Sequence, residues 1–378
     1  MRTASIHPFK LLTGTLLALL LALPAAAVER YDSERQAFRL VELTDGLENP
    51  WSLAFLPDGG MLVTERPGRL RVIRDGVLRP EPLEGLPEIE EVGQGGLLDV
   101  VLDPGFAQNR TIYLSFAGKQ GGHYSTEVAR ARLVEDRLEG FERILVTRPK
   151  SGGGRHFGSR LVLDGQGHLY VTSGDRGDPD RAQELGDTAG AVLRIRTDGS
   201  VPEDNPFVGR DGARPEIYSY GHRNPQGMTR RPDTDQIWAV EHGPRGGDEL
   251  NLVRKGVNYG WPIITYGKSY AGFSIGEGTA KDGMAQPARY WVPSISPSGL
   301  SFYDGAAFPA WQGNLFLGAL SGQALVRLEL QGDEVVHEER LLQDLDERIR
   351  DVRQGPDDLL YLLTDSGNGK LLRLEPAS

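Results

Sequence analysis

The sequence predicts an all-β protein, a six-bladed β-propeller of four-stranded antiparallel sheets with its function on the loops of one face. Three observations carry this expectation. One phrase returns six times: an apolar strand, a turn built from Asp, Pro or Gly, and a second apolar strand often ending in Thr or Ser. With Leu62, Ile112, Leu169, Ile237, Leu315 and Leu360 as markers, the copies recur at intervals of about 45 to 78 residues, the span of a four-stranded blade with inserted loops. Forty-nine glycines and 24 prolines in a chain this apolar ask for many turns between short strands, and helix signals are few.

The copies run in order as L-A-F-L-P-D-G-G-M-L-V-T (53–64), V-V-L-D-P-G-F-A-Q-N-R-T-I-Y-L-S (100–115) and L-V-L-D-G-Q-G-H-L-Y-V-T (161–172). Looser copies follow at 228–240, 300–318 and 352–364. In each, Asp and Gly supply the turn geometry and the flanks carry β-formers, so each reads as a hairpin. Hairpins alone would also suit a pair of β-sandwiches. The termini favour a ring, because an isolated strand at 38–43 and another at 370–374 can complete one sheet. The stretch 340–348 reads as connection rather than helix.

Ahead of the first copy, Arg2 and Lys10 precede a largely apolar run at 11–23, then Pro24 and Ala25-Ala26-Ala27. That is the pattern of a secretory signal, 1–27, with an A-x-A cleavage site and an apolar run too short to span a bilayer comfortably. Residues 28–378 are then expected as a single propeller domain, exported to the periplasm without a membrane anchor. There is no cysteine, hence no disulfide, thiolate ligand or thiol nucleophile. The formal charge of −11 includes Arg2 and Lys10, so removal of the leader takes it to about −13, which argues against nucleic acid as a partner.

The stretch 216–262 departs from the strand pattern. It reads E-I-Y-S-Y-G-H-R-N-P-Q-G-M, then W-A-V-E-H-G-P-R-G-G-D-E-L-N-L, then G-V-N-Y-G-W-P. Such a density of Gly, Pro, Asn and Arg suits loops that bring carbonyls, cations and acids together. Long insertions at 172–227 and 256–299 flank it, and long loops on a compact scaffold are commonly functional. Arg223-Asn224 sets a guanidinium fork beside an amide, a pairing suited to a planar polyanion. Arg348 and Arg350 alternate as same-face residues on a strand. The loop from Gly243-Pro244 to Asp248-Glu249 offers free carbonyls and carboxylates, the oxygen ligands that calcium takes; by residue type alone it also reads as an acidic turn. His156, in G-G-G-R-H-F-G-S, is a loop histidine with flexible flanks, the residue type of a general base near neutral pH.

G-H-R-N-P-Q-G (221–227), H-G-P-R-G-G-D-E-L-N (242–251) and N-Y-G-W-P (258–262) together resemble the soluble quinoprotein glucose/sorbosone dehydrogenases, most closely the PQQ-dependent aldose sugar dehydrogenases. G-Q-G-G-L-L-D (93–99), H-F-G-S-R-L (156–161) and R-I-R-D-V (348–352) extend the resemblance along nearly the whole chain. It implies a six-bladed propeller, PQQ and calcium (Ca2+) as cofactors, an aldose substrate oxidised at C1 to a lactone, and a periplasmic electron acceptor. By the same resemblance His156 is the proton acceptor and Gln94 contacts substrate, while Arg223, Asn224, Thr265, Tyr270, Arg348 and Arg350 contact PQQ. The carbonyls of Gly243 and Pro244 match a calcium that bridges to PQQ, and Glu249 with the Tyr259 carbonyl matches a second calcium. Trp291 is a candidate for stacking on a sugar ring.

Two positions depart from the family pattern. Arg155 stands where some relatives carry an Asp before the histidine, and Ser321 aligns with a lysine that touches PQQ. Two other readings share the fold: a metal-dependent lactonase without a quinone, and a sugar-binding propeller without catalysis. The arginine pairs favour the quinoprotein, since neither rival needs so many cations on one ligand.

Overall fold

The computed structural model describes Met1 and residues 30–377. The expected signal segment therefore lies outside the described residues apart from Met1. Alternating aliphatic strands build five four-stranded antiparallel sheets and one of five strands, six blades in all. Their inner strands are Pro50–Phe55, Leu97–Leu102, Leu161–Leu163, Pro225–Arg230, Pro297–Phe302 and Ile349–Gln354. Each inner strand packs beside the next, and the sixth returns to the first, so the ring closes.

Each phrase of the sequence repeat forms the two inner strands of a blade, with Leu53 opposite Val63, Leu161 opposite Val171 and Val352 opposite Leu362. The termini seal the ring as the sequence suggests. Ala37–Leu47 pairs antiparallel with Gly369–Pro376, Leu40 lying opposite Leu374, so the last blade uses both ends of the chain. Closure removes the unpaired edges that an open sheet would expose. Among the described residues, helix is confined to Phe106–Asn109 and three short 3-10 turns, one of which, Gln343–Leu345, lies within the connection expected at 340–348.

Apolar side chains fill the space between neighbouring blades. Leu62, Leu70 and Val72 of the first blade meet Ile112, Leu114 and Phe116 of the second, all buried. Towards the axis the blades converge, and bulk must give way. A Cβ on Gly227 would lie 2.1 Å from the Ser298 carbonyl of the next inner strand, so only glycine fits there.

Inside the ring lies a buried ionic cluster. Arg160 donates to Asp351 at 3.0 Å and stacks over Trp51, and Arg353 donates to Asp99 at 3.0 Å and Asp351 at 2.9 Å. The Asp99 and Asp351 carboxylates also accept the Leu161 and Leu53 amides, tying blades one, two, three and six together. Removing one partner of such a cluster leaves an uncompensated buried charge. Arg160→Met is therefore expected to lower unfolding stability by about 3–5 kcal/mol in a urea titration; a loss below about 1 kcal/mol would show that the cluster is not structural.

Because neighbouring strands are antiparallel, the connections between second and third strands and those between blades emerge on the same face. Those connections carry Gln94, His156, Arg223-Asn224, Gly243-Pro244, Ser321 and Arg348.

Candidate active site

His156 sits in the connection that leads into the third blade, with its backbone in the left-handed region at φ 51°. Ser159 and Arg176 nearby share that uncommon conformation, at φ 80° and 61°. Strain of this kind persists where surrounding contacts fix the chain. Gln94 is one such contact, its Oε1 accepting the His156 amide at 2.9 Å.

The ring of His156 is held by Asp175. Its Nδ1–H donates to Asp175 Oδ1 at 2.6 Å, while Asp175 also accepts the Gly177 amide at 2.7 Å and the Trp261 indole N–H at 2.8 Å. Burial pushes the Asp175 carboxyl up, but the His156 hydrogen bond, the Gly177 amide and the charge of Arg223 outweigh it, so it stays below its usual range. A carboxylate on Nδ1 fixes the tautomer and leaves Nε2 as the acceptor. Asp175 is the residue that the sequence reading missed. It stands in S-G-D-R-G just after the second strand of the blade, and Gly174 lets that loop close in: a Cβ there would lie 2.2 Å from the His156 carbonyl. Arg155 stands before the histidine, where some relatives carry an acid, and in this chain Asp175 supplies the carboxylate instead.

His156 opens onto a cleft of about 740 Å³ that it shares with Gln94, Arg223, Gly243, Pro244 and Tyr270. A second chamber of about 470 Å³ shares Gln94, His156, Arg223, Pro244 and Tyr270 and is also lined by Asp175 and Trp261. Arg223 donates to the carbonyls of Gly243 at 2.6 Å and His242 at 3.0 Å, lies over Trp261, and has no carboxylate partner among the described residues. Its loop is fixed from below by Glu241, which accepts the Arg223 amide at 2.6 Å, the His222 Nδ1–H at 2.8 Å and the Asn251 amide at 3.1 Å. Asp248 staples the neighbouring loops by accepting the amides of Gly243, Ile295 and Ser296 at 2.7–2.8 Å.

Several other expected residues lie beside the cleft rather than in its lining. Asn224 is fully buried; its Oδ1 accepts the Gly158 amide at 3.1 Å and its Nδ2 has no partner. Arg350 donates to Gln226 at 2.7 Å and to Asp365 at 3.0 Å, and its Nε is buried and unpaired. Arg348 is half exposed and shares the Asp365 carboxylate at 2.8 Å, so the two arginines do converge as the alternation implies. Thr265, Glu249 and Tyr259 surround a small void of about 10 Å³ behind Arg223 and Gly243. There, burial and the neighbouring Glu241 push the Glu249 carboxyl up to about 8.

Trp291 is corrected by the structure. It is buried between the fourth and fifth blades, its indole donating to Glu338 at 3.0 Å, and it presents no ring to the cleft. Ser321 hydrogen-bonds with the Ser296 hydroxyl at 2.8 Å at the cleft rim and brings no charge. His242, not singled out from sequence, lines the cleft and donates from Nε2 to the Pro297 carbonyl at 2.8 Å. Burial, then the charges of Arg350 and Arg223, lower its pKa to about 3, so it is neutral.

A closed propeller whose loops gather a histidine–carboxylate dyad, an unanswered guanidinium and a carbonyl-rich loop around one cleft is the scaffold of a ligand-dependent enzyme. The family model for glucose/sorbosone dehydrogenases matches residues 47–373, and the chain belongs to that family, as an oxidoreductase and a sugar dehydrogenase. It is 46% identical over 340 residues to the aldose sugar dehydrogenase YliI of Escherichia coli strain K12, covering 88% of this chain and 92% of the relative. A crystal structure of a glucose dehydrogenase superposes with a TM-score of 0.88 at 51% identity, covering 90% of this chain and 99% of that one. The PQQ-bound aldose sugar dehydrogenase of Streptomyces coelicolor superposes with a TM-score of 0.74 at 28% identity, covering 89% and 96%.

Proposed function

We propose that the protein is an exported aldose dehydrogenase that uses PQQ and calcium to oxidise the C1 hydroxyl of aldoses to lactones, with His156 as general base. The observation that carries this reading is the His156–Asp175 dyad opening into the same cleft as Arg223, which meets carbonyls but no carboxylate among the described residues. The signal pattern at 1–27 supports a periplasmic location.

The residues present fit both groups. PQQ is a planar tricarboxylate, and the buried unpaired donors Asn224 Nδ2 and Arg350 Nε, with the uncompensated Arg223, suit such an anion. Calcium takes several oxygens, backbone carbonyls among them. Gly243 and Pro244 line the cleft, and the Gly243 carbonyl already accepts a positive group, Arg223. Glu249 beside Glu241 and the Tyr259 segment forms the acidic pocket for a second ion. When bound, PQQ supplies the two-electron acceptor and calcium the Lewis acid that polarises it.

Oxidation at C1 removes one proton and one hydride from the sugar, and this chain's residues handle the proton. Nε2 of His156 takes it from the anomeric hydroxyl, while Asp175 holds the imidazole and stabilises the positive charge that forms. Gln94, fixed to the His156 amide, borders both chambers and orients the sugar. Turnover then needs an electron acceptor in the same compartment.

Apoprotein given calcium and PQQ is expected to oxidise aldoses with an artificial dye, and chelation during reconstitution is expected to prevent it. No dye reduction across hexoses, pentoses and disaccharides, with lactones hydrolysed instead, would establish the lactonase reading. Calcium alone at a hundred times its Kd should raise the melting temperature by about 4 °C, since that occupancy is worth about 2.7 kcal/mol. Glu249→Gln should remove most of this increment in a thermal scan. An unchanged increment would place the stabilising ion elsewhere.

A further inference from the structure

We propose that Arg245 and Lys268 form a carboxylate-binding pole of the cleft, beside Arg223, and that it holds a carboxylate of the bound quinone; this rests on the function proposed above. Both side chains are exposed, both line the cleft that contains His156, and neither makes an ion pair among the described residues. The acids that line the two chambers cannot answer them. Asp175 is engaged by His156, Gly177 and Trp261, and Asp248 by three backbone amides. Ser321 at the rim is neutral. An acidic protein of formal charge −11 thus concentrates unanswered cations at its cleft.

The backbone places these two cations together. Arg245 and Lys268 face each other in an isolated antiparallel bridge, with reciprocal N–H···O bonds of 2.9 and 3.1 Å. Residues opposite one another in such a bridge project to the same side, and like charges there repel. That repulsion becomes an attraction when an anion lies between the two cations. The bridge is also locked to the Gly243-Pro244 loop: a Cβ on Gly267 would lie 2.4 Å from the Gly246 carbonyl and 2.7 Å from the Pro244 ring. The pole therefore has a fixed position relative to the carbonyls that would hold calcium, as recognition of a rigid polyanion requires.

The test is titration of PQQ at fixed calcium into the full-length protein, followed by quenching of tryptophan fluorescence, Trp261 lining the second chamber. Wild type is compared with Lys268→Met, Arg245→Met and the double variant. Arg132→Met, an exposed cation on the second blade, controls for net charge. Each single variant is expected to bind PQQ about tenfold more weakly and the double variant about a hundredfold, with a flatter salt dependence; Lys268→Arg should retain most of the affinity. A double variant within about twofold of wild type overturns the proposal while leaving the quinoprotein reading intact. Unchanged PQQ affinity with a raised KM for glucuronate, but not glucose, shows that the pole serves a substrate acid and overturns the cofactor assignment. Wild type that binds no PQQ in the presence of calcium overturns both readings.

Discussion

Replacing His156 by Gln is expected to leave PQQ binding nearly intact and to cut turnover by roughly 10²–10⁴, the usual worth of a positioned base. The reason lies in what glutamine keeps and loses. It retains a polar group of similar reach, and the Gln94 contact is to the backbone amide, which the substitution does not alter. It lacks a nitrogen that can accept a proton near neutral pH. Steady-state kinetics on reconstituted enzyme, with PQQ affinity measured separately, check this. A change confined to KM would move His156 from proton removal to substrate binding.

The second large effect is expected at Asp175. Asp175→Asn preserves shape and can still accept from Gly177 or Trp261, but it removes the charge that fixes the Nδ1–H tautomer and stabilises the imidazolium. Turnover should fall by roughly 10²–10⁴, with little change in KM for sugar. A merely structural role would show itself differently, as a lower melting temperature with normal kcat in the folded fraction.

The fold was legible because its signals are local. Asp-Gly turns between β-forming runs report each inner hairpin wherever the chain places it, and the strands near the two termini complete one sheet by pairing with each other. The site was legible only where one segment holds both partners. Arg223-Asn224 and Gly243-Pro244 are of this kind. Asp175 is not, because it reaches His156 from 19 residues away and Trp261 from 86. The position before the histidine holds Arg155, while the fold delivers a carboxylate from the neighbouring strand connection. Trp291 failed for the opposite reason: an aromatic in a long insertion suggests a sugar platform, yet the adjoining blade buries it. Some motif residues proved structural. Asp99, Arg160 and Asp351 lie within the resembling phrases but spend their charges on one another.

The central claim, that this cleft oxidises an aldose at C1 on a bound quinone, is tested most directly by a single turnover. Protein loaded with PQQ and calcium, freed of excess cofactor and held without oxygen or dye, is mixed with glucose while absorption and products are followed. The account predicts loss of the quinone absorption with about one lactone formed per bound PQQ, and a rate that collapses in His156→Gln. An unchanged spectrum in fully loaded protein, with no lactone formed, would contradict it.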